Sequence, residues 1–242
     1  MICAKEIRSF TNMKKVLVLA CSSGLGIECE DVVNHCWPKI LGDLAGVTVV
    51  NESETGGSND MMFRKALSLT VTKSYDLVLI AWTDIARTEV YFNEPIESNR
   101  LPDELISEKF HRVQGPGPVS VSHNWSDLPW IEKYYGMHYN ERYLLERWIH
   151  QAVTLQEYFK AKQQAFVYVS NFGNTQYLKS HTDIPMLKML DVKSWIGNWP
   201  GSTLREWGVP VGIHKHGHFT LDAHKHIARK IHEHIRNRGW LS

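Results

Sequence analysis

Serine, histidine and glycine residues stand at the ends of apolar runs in this sequence, where a folded sheet would bring them together. Ser22 follows the run Val16–Ala20, Gly56 follows a second run, and His218 precedes the last helical pattern. A serine hydroxyl becomes a nucleophile when an imidazole takes its proton. Backbone N–H groups in a glycine-containing turn can approach a substrate closely, because no Cβ intrudes. These residues predict acyl transfer through a serine–histidine pair.

Three short aliphatic runs predict the strands that would position these side chains, and they cover residues 14–20, 47–50 and 77–81. Runs of this kind, without polar alternation, are typical of strands buried on both faces of a parallel sheet. Helical segments between the runs favour right-handed βαβ crossovers. In such sheets, ligands bind at the carboxyl ends of the strands. The sequence therefore predicts a three-layer α/β/α fold with a mainly parallel sheet and a site at that edge.

The remaining elements are predicted from shorter patterns. They are three helices and a strand, at 27–44, 61–72, 139–162 and 165–169. Pro38 is the main objection to the first of these helices, on which Cys29 and Cys36 would share one face as buried thiols. The last helix is predicted to begin after Thr220, because threonine is a favoured N-cap. His224 lies on the apolar stripe of this helix, where we expect a hydrogen-bonded core histidine.

Residues 84–136 form a long segment without a clear helical or strand pattern. Prolines and aromatic residues are frequent in it, and the run Gly115–Pro118 cannot continue a helix or a central strand. Long loops in compact domains usually carry function or are disordered, and the aromatic residues favour an ordered insertion. We therefore expect a single domain over residues 1–242 with an insertion after the third strand. The insertion would form a lid or pocket wall, or would simply pack onto the domain.

The composition excludes several classes of protein. The 242 residues include 27 Lys and Arg against 26 Asp and Glu, and 43% are hydrophobic. This balance excludes a disordered chain, and it gives no electrostatic basis for nucleic acid or an anionic membrane as the main partner. No apolar stretch approaches the roughly 20 residues that cross a bilayer. The cysteines form no CxxC and the N-terminus has no apolar run of a signal peptide, so we expect a reduced, cytoplasmic protein.

The polar segments at the strand ends resemble the sequence blocks of the SGNH (GDSL-type) hydrolases, in the same order. The segment Ala20–Gly26 resembles the first block, G-D-S-x-x-x-G, and keeps its serine and its final glycine. Asn51 and Gly56 match the second block, which places a glycine five residues after an asparagine. Ala81–Asp84 resembles the third block, G-x-N-D, and Lys215–His218 resembles the D-x-x-H that precedes a helix.

The resemblance spans residues 14–235 apart from the insertion, and it implies both a fold and an activity. The family has a flavodoxin-like sheet and hydrolyses esters, so it implies Ser22 as nucleophile and His218 as general base and then general acid. It also implies an oxyanion hole from the backbone N–H groups of Ser22 and Gly56, with Thr83 in the position of an asparagine donor. Apart from the resemblance, Arg87 is a candidate to bind an anionic group of the substrate, or it is simply a solvated arginine. The expected substrate is a small-molecule or glycan ester, and no cofactor is implied.

Three residues depart from the family pattern. Cys21 replaces the acid of the first block, Thr83 replaces the asparagine, and Lys215 replaces the acid before the histidine. The Cys-Ser and Trp-Thr pairs are more similar to divergent members of the family, some of them phage-encoded. Because a lysine would oppose an imidazolium, a backbone carbonyl or a distant carboxylate would have to orient His218. The departures also support an alternative, a non-catalytic SGNH-fold protein that acts as a binding or scaffold module.

Two other kinds of site have weaker support. His214, His216 and His218 would share one face of an extended segment and could converge on a zinc ion, but Gly217 interrupts that segment. The segment Ser22–Gly26 loosely resembles a dinucleotide-binding loop, although the full G-x-G-x-x-G is absent. We therefore predict no metal and no nucleotide cofactor.

Overall fold

Four parallel strands form the central sheet of the computed structural model, which describes residues 14–92, 117–121, 129–172, 175–197 and 203–240. The strands of the described chain are β1 (Lys15–Leu19), β2 (Thr48–Asn51), β3 (Leu77–Trp82), β4 (Thr88–Phe92), β5 (Gly117–Val121) and β6 (Phe166–Ser170). The main sheet has the order β2-β1-β3-β6, and every neighbouring pair is parallel. This order is that of flavodoxin-like folds, so the predicted fold class is confirmed.

Helices cover both faces of the sheet and complete the three layers. They are α1 (Trp37–Ala45), α2 (Asn59–Thr72), α3 (Pro129–His138), α4 (Glu141–Ala161), α5 (Thr175–Ser180), α6 (Leu204–Gly208) and α7 (Leu221–Asn237). Helices α2 and α4 pack on one face, and α1 and α7 pack on the other. Within the described ranges, no helix combines the length and the apolar character of a membrane span.

Alternate residues of β1 point into two separate cores. Leu17 and Leu19 belong to the cluster that includes α2 and α4, whereas Val16 and Val18 belong to the cluster that includes α1 and α7. None of these four side chains has exposed surface. Burying an aliphatic side chain of this size stabilises the fold by about 1.5–3 kcal/mol. The two-sided burial that the unbroken aliphatic run predicts is therefore confirmed.

Side-chain caps fix the start of the helices that follow the functional loops. The Thr220 hydroxyl accepts a hydrogen bond from the N–H of Ala223 at 3.4 Å, which confirms the predicted start of α7. The Ser58 hydroxyl accepts one from the N–H of Met61 at 3.2 Å at the start of α2. Replacing such a cap by alanine typically costs about 1 kcal/mol.

The predicted helix over 27–44 is wrong in its first half. Helix α1 begins only at Trp37, with Pro38 in its first turn, and residues 25–36 form turns. Proline is favoured at the first turn of a helix because its missing N–H has no partner there, whereas further in it breaks the hydrogen-bond ladder. Cys29 therefore lies outside any helix and is half-buried, while Cys36 is buried, so they do not share a helical face.

The insertion contains more regular structure than the sequence predicts. Strands β4 and β5 pair in an antiparallel ribbon, and α3 follows them. The buried Tyr135 of α3 donates its hydroxyl to the carbonyl of Ala86 at 2.6 Å and lies 3.1 Å from that of Val121. This tyrosine holds the insertion against the end of β3, as the ordered-insertion interpretation expects. Residues 93–116 and 122–128, on which the lid interpretation depends, lie outside the described residues.

His224 connects α7 to α1 through a buried hydrogen bond, as predicted for a core histidine. Its Nδ1 accepts from the backbone N–H of Trp37 at 3.2 Å, and its side chain is fully buried. Burial, together with the positive charges of neighbouring histidines, lowers the pKa of His224 to about 4. The imidazole is therefore neutral at pH 7, the form in which Nδ1 can accept.

Replacing His224 by asparagine should remove an acid-labile element of the fold. The unfolded histidine binds a proton near pH 6.5 and the folded one only near pH 4, so its contribution is complete above pH 6.5 and is lost as pH falls through 4. The unfolding free energy of the native chain should therefore drop relative to His224→Asn by up to about 3 kcal/mol between pH 7 and 4. Urea titrations at several pH values measure this, with the exposed His150→Asn as control. Parallel pH profiles for native protein and His224→Asn would contradict the assignment.

Candidate active site

Ser22 lies at the carboxyl edge of the sheet, immediately after β1. It begins a short 3-10 turn, Ser22–Gly24, and is half-buried. The expected helix behind Ser22 is absent, because turns fill residues 25–36. A three-residue turn carries little of the dipole that a long helix would direct at developing negative charge. Stabilisation of an oxyanion here therefore depends on individual N–H groups.

Asn51 locks the loop that follows β2 onto the turn that contains Ser22. Its amide Nδ2 donates to the carbonyl of Gly24 at 2.8 Å, and its Oδ1 accepts from the Ser53 hydroxyl at 2.6 Å. A Cβ on Gly24 would lie 2.3 Å from Ser53 Oγ, so this approach requires glycine. The matched asparagine of the second block therefore has a structural role in positioning the loop.

The glycine pair of the second block lies against the backbone of the first. A Cβ on Gly57 would lie 3.3 Å from the Cα of Cys21 and 2.4 Å from the Met61 side chain. Gly56 has a φ of +70°, which suits glycine at this turn. In the described part of the chain, the N–H groups of Ser22 and Gly56 donate to no other residue.

Thr83 lies deeper than an oxyanion donor is expected to lie. Its side chain has no exposed surface. The Asn59 side chain accepts from the Thr83 N–H at 2.8 Å and donates to the Thr83 carbonyl at 3.2 Å, which fixes the end of β3. The structure therefore places the Thr83 side chain in the interior at the end of β3.

The thiol of Cys21 occupies the position of the acid in the first block. It is fully buried, and it accepts from Asn171 Nδ2 at 3.0 Å and lies 3.4 Å from Ser23 Oγ. Burial by itself raises the pKa of the Cys21 thiol, but the positive charge of Arg87 and hydrogen bonds from Ser23 and Thr83 outweigh it and hold that pKa below its usual range. The Cys21 thiol therefore lies among polar groups of the kind that would surround an acid at this position.

Glu28 supplies the carboxylate that His218 lacks in its own segment. The Nδ1 of His218 and the Oε2 of Glu28 are 2.7 Å apart, and the N–H of His216 lies 3.4 Å from the other carboxylate oxygen. Burial by itself raises the pKa of Glu28, but the hydrogen bonds from His218 and His216 outweigh it, so the carboxyl pKa lies below its usual range. Because Nδ1 faces a carboxylate, the Nε2 of neutral His218 carries the lone pair.

The backbone of Glu28 is itself unusual, with a φ of +67°. A residue with a Cβ adopts this left-handed region at a cost of about 1–2 kcal/mol. Such strain persists where surrounding structure imposes it, often at functional sites. The contact with His218 is the observed interaction that depends on this conformation.

The histidine-rich segment is a tight turn rather than the extended strand that a three-histidine zinc site would need. The N–H of His214 donates to the carbonyl of His218 at 2.7 Å, and Gly217 has a φ of +84°. His214 Nε2 lies 3.9 Å from the thiol of Cys29, whereas His218 contacts the neighbouring Glu28. Among the residues that the structure describes, no group of three His, Cys, Asp or Glu is placed to hold a metal ion.

A chain of contacts joins the two halves of the site. Asn171, which follows β6, donates to the Cys21 thiol and accepts at its carbonyl from the N–H of Arg205 at 3.3 Å. Arg205 Nη1 in turn donates to the carbonyl of Gly217 at 3.4 Å. Cys21, which precedes Ser22, is therefore linked through Asn171 and Arg205 to Gly217, which precedes His218. No hydrogen bond joins Ser22 Oγ to His218 in the structure, and catalytic contacts of this kind often tighten only in the complex with substrate.

Sequence reasoning missed three of these residues, namely Glu28, Asn171 and Arg205. Glu28 lies 190 residues before its partner His218 in the chain, and neither its spacing nor a periodic pattern marks it. Asn171 had a weak signal, because it is the polar residue directly after the fourth parallel strand. Arg205 follows a capped helix start and carries no signal of its own.

The fold is similar to those of solved esterases. The psychrotrophic esterase EstA from Pseudoalteromonas sp. matches with a TM-score of 0.53 and 12% identity, over 93% of this chain and 98% of that chain. TesA matches with a TM-score of 0.52 and 11% identity, over 93% and 99%. The acetyl xylan esterase Est2A from Butyrivibrio proteoclasticus gives 0.50 and 11%, over 94% of this chain and 65% of that chain. The protein therefore has the fold of the SGNH hydrolases.

At the level of sequence, the chain belongs to DUF6071, a family of unknown function, whose model matches residues 22–240. No curated protein matches the sequence. The family match begins at Ser22 and includes Glu28, Asn171, Arg205 and His218, so it covers most of the candidate site.

The protein should be more stable with glycine at position 28 than with alanine, because glycine adopts the left-handed backbone without strain. Glu28→Gly and Glu28→Ala both remove the carboxylate. We expect Glu28→Gly to have the higher free energy of unfolding, by about 1 kcal/mol. Urea titrations measure the difference. The same pair of substitutions at the exposed Glu30, whose φ is not positive, is the matched control and should show no advantage for glycine. Equal stability of the two position-28 variants would contradict the strain.

Proposed function

We propose that this protein is a serine hydrolase that cleaves a carboxylic ester through a Ser22 acyl-enzyme. The observation that supports it most directly is the 2.7 Å contact between His218 Nδ1 and Glu28 Oε2. It supplies the orienting acid whose absence from position 215 was the strongest argument against catalysis. A nucleophile, a base and an orienting carboxylate at one sheet edge are the parts that nucleophilic catalysis needs.

In the first half-reaction, His218 Nε2 takes the proton of the Ser22 hydroxyl as Oγ attacks the ester carbonyl carbon. The negative charge moves to the carbonyl oxygen, and the N–H groups of Ser22 and Gly56 donate to it. The ester C–O bond then breaks, and His218 gives its proton to the departing alcohol. Glu28 stabilises the imidazolium that exists between these two proton transfers.

In the second half-reaction, a water molecule replaces the alcohol. His218 takes a proton from the water as its oxygen attacks the acyl carbon. The bond to Ser22 Oγ breaks, the serine recovers a proton from His218, and the carboxylic acid leaves. The water supplies all the atoms that the products gain, so the proposed reaction needs no cofactor. The proposed substrate is an ester of a small molecule or a glycan.

A fluorophosphonate probe tests whether Ser22 is activated. We expect a stoichiometric adduct on the native protein, mapped to Ser22 by peptide mass spectrometry. Ser22→Ala and His218→Ala should show no adduct, whereas Ser23→Ala should react like the native protein and exclude the neighbouring hydroxyl. A folded native protein that forms no adduct would overturn the proposal and would favour the non-catalytic binding or scaffold module.

Replacing Glu28 by glutamine should reduce catalysis while the shape of the side chain is kept. Loss of the carboxylate removes the charge that stabilises the imidazolium, so we expect kcat/KM for 4-nitrophenyl acetate to fall by roughly 100- to 10,000-fold. Lys215→Gln changes the position where the family carries its acid, and it should alter kcat/KM by less than about twofold because Lys215 is exposed. Unchanged activity in Glu28→Gln would show that the carboxylate has only a structural role.

A further inference from the structure

Two arginine side chains flank one aromatic ring at the carboxyl edge of the sheet. The guanidinium carbon of Arg87 lies 5.1 Å from the centre of the Phe172 ring, and that of Arg205 lies 5.4 Å from it. Both distances are within the range of a cation–π contact. Arg87 lies between β3 and β4, Phe172 follows β6, and Arg205 lies in α6. Three separate chain segments therefore bring two positive charges to one ring.

Neither arginine has a carboxylate partner among the described residues. Arg87 Nη1 is buried and makes no hydrogen bond, and the side-chain hydrogen bond of Arg205 goes to the neutral carbonyl of Gly217. The half-buried Arg147 differs, since it pairs with an aspartate, and even the exposed Arg64 pairs with a glutamate. Two guanidinium groups that contact the same ring repel each other. An anion bound beside them would reduce that repulsion and accept from the unpaired N–H donors.

Each arginine interacts with a residue that precedes one of the reacting side chains of the proposed mechanism. Arg87 acts electrostatically on Cys21, the residue before Ser22. Arg205 donates to Gly217, the residue before His218. The arginine pair is therefore connected to both segments that carry the proposed catalytic residues.

The replacements of family residues also make this edge more positive. Two positions where the SGNH pattern carries an acid are occupied by Cys21 and Lys215. A carboxylate at position 21 would stand within the electrostatic reach of Arg87 and would be its natural partner. With a thiol there, the charge of Arg87 is left for a ligand.

We propose that Arg87 and Arg205, with Phe172 between them, form an oxyanion-binding subsite, so that the substrate is an ester carrying a carboxylate or phosphate group beside the scissile bond. This inference rests on the proposed function, because it assumes that Ser22 attacks that ester. The planar donors of two arginines suit the oxygen atoms of either group.

Pairs of esters that differ only in charge test the inference. On the alcohol side these are 4-acetoxybenzoate and 4-acetoxyphenyl phosphate, each against neutral 4-acetoxybenzamide. On the acyl side they are the 4-nitrophenyl monoesters of glutaric acid and of glutaramic acid. We expect kcat/KM to be roughly 10- to 100-fold higher for an anionic ester than for its neutral counterpart, as is typical of charge-assisted hydrogen bonds. Comparison of the carboxylate with the phosphate identifies the preferred oxyanion.

Arginine variants show whether the preference arises at this subsite. Arg87→Met and Arg205→Met should each lose most of the preference for the anionic ester, through a higher KM for that ester. Arg229→Met, on the exposed surface of α7, should keep the preference. A structural defect would lower the rates for anionic and neutral esters together, so the ratio separates the two effects.

The outcomes distinguish this inference from the proposed function. A native protein that reacts with the fluorophosphonate but hydrolyses charged and neutral esters equally would overturn the oxyanion subsite and leave the hydrolase intact. If the probe does not react, calorimetric titration with benzoate, phenyl phosphate and benzamide tests whether the subsite binds anions. Binding of an anion that is lost in Arg87→Met would support the subsite and overturn the hydrolase. No preference for the anions over benzamide would overturn the subsite as well.

Discussion

The position of β1 between two parallel neighbours is the constraint on which the candidate site depends. Val18 pairs with Asn51 of β2, and Leu19 pairs with Ile80 of β3, so three strands end at one edge in fixed register. Because β1 and β3 are buried on both faces, the polar groups at this edge must find hydrogen-bond partners there. Asn51 binds the turn after β1, Asn59 binds the end of β3, and Asn171 binds the thiol after β1. These three amides brace the edge at which Ser22 is held.

The position of Glu28 beside His218 is related to the late start of α1. A helix beginning near residue 27 would carry Glu28 along its axis, away from the histidine segment. Pro38 instead fits the first turn of a helix that begins at Trp37, and the preceding residues fold as turns that reach across to His218. Ser22, the proposed nucleophile, and Glu28, the carboxylate beside His218, thus belong to one loop. This loop contacts the turn before α7 through Glu28. The left-handed backbone at Glu28 is the local cost of this arrangement.

Electrostatics links the departures from the family pattern. Cys21 and Lys215 each remove a carboxylate from the edge of the sheet, and Glu28 restores one beside the histidine only. The region around Arg87 and Arg205 therefore keeps positive charge without an internal partner among the described residues. In a chain whose net charge is +1, this is a local feature that the overall composition conceals. The same replacements that weaken the case for a catalytic triad in the sequence underlie the proposal of an anionic substrate.

The sequence by itself determined the parallel sheet, the two buried faces of its strands and the cap of α7, because these depend on local hydrophobic pattern and capping preferences. It also determined which strand ends carry polar residues, and so where Ser22 and Gly56 lie. Only the tertiary structure decided the partner of His218, the burial of Thr83 and the meeting of Arg87 with Arg205. Those contacts join segments far apart in the chain, and no periodicity records a pairing between residues that interact only after the sheet has formed. The start of α1 at Trp37 also required the tertiary structure, since a proline such as Pro38 can either interrupt a helix or stand in its first turn. The surrounding packing determines which of the two occurs.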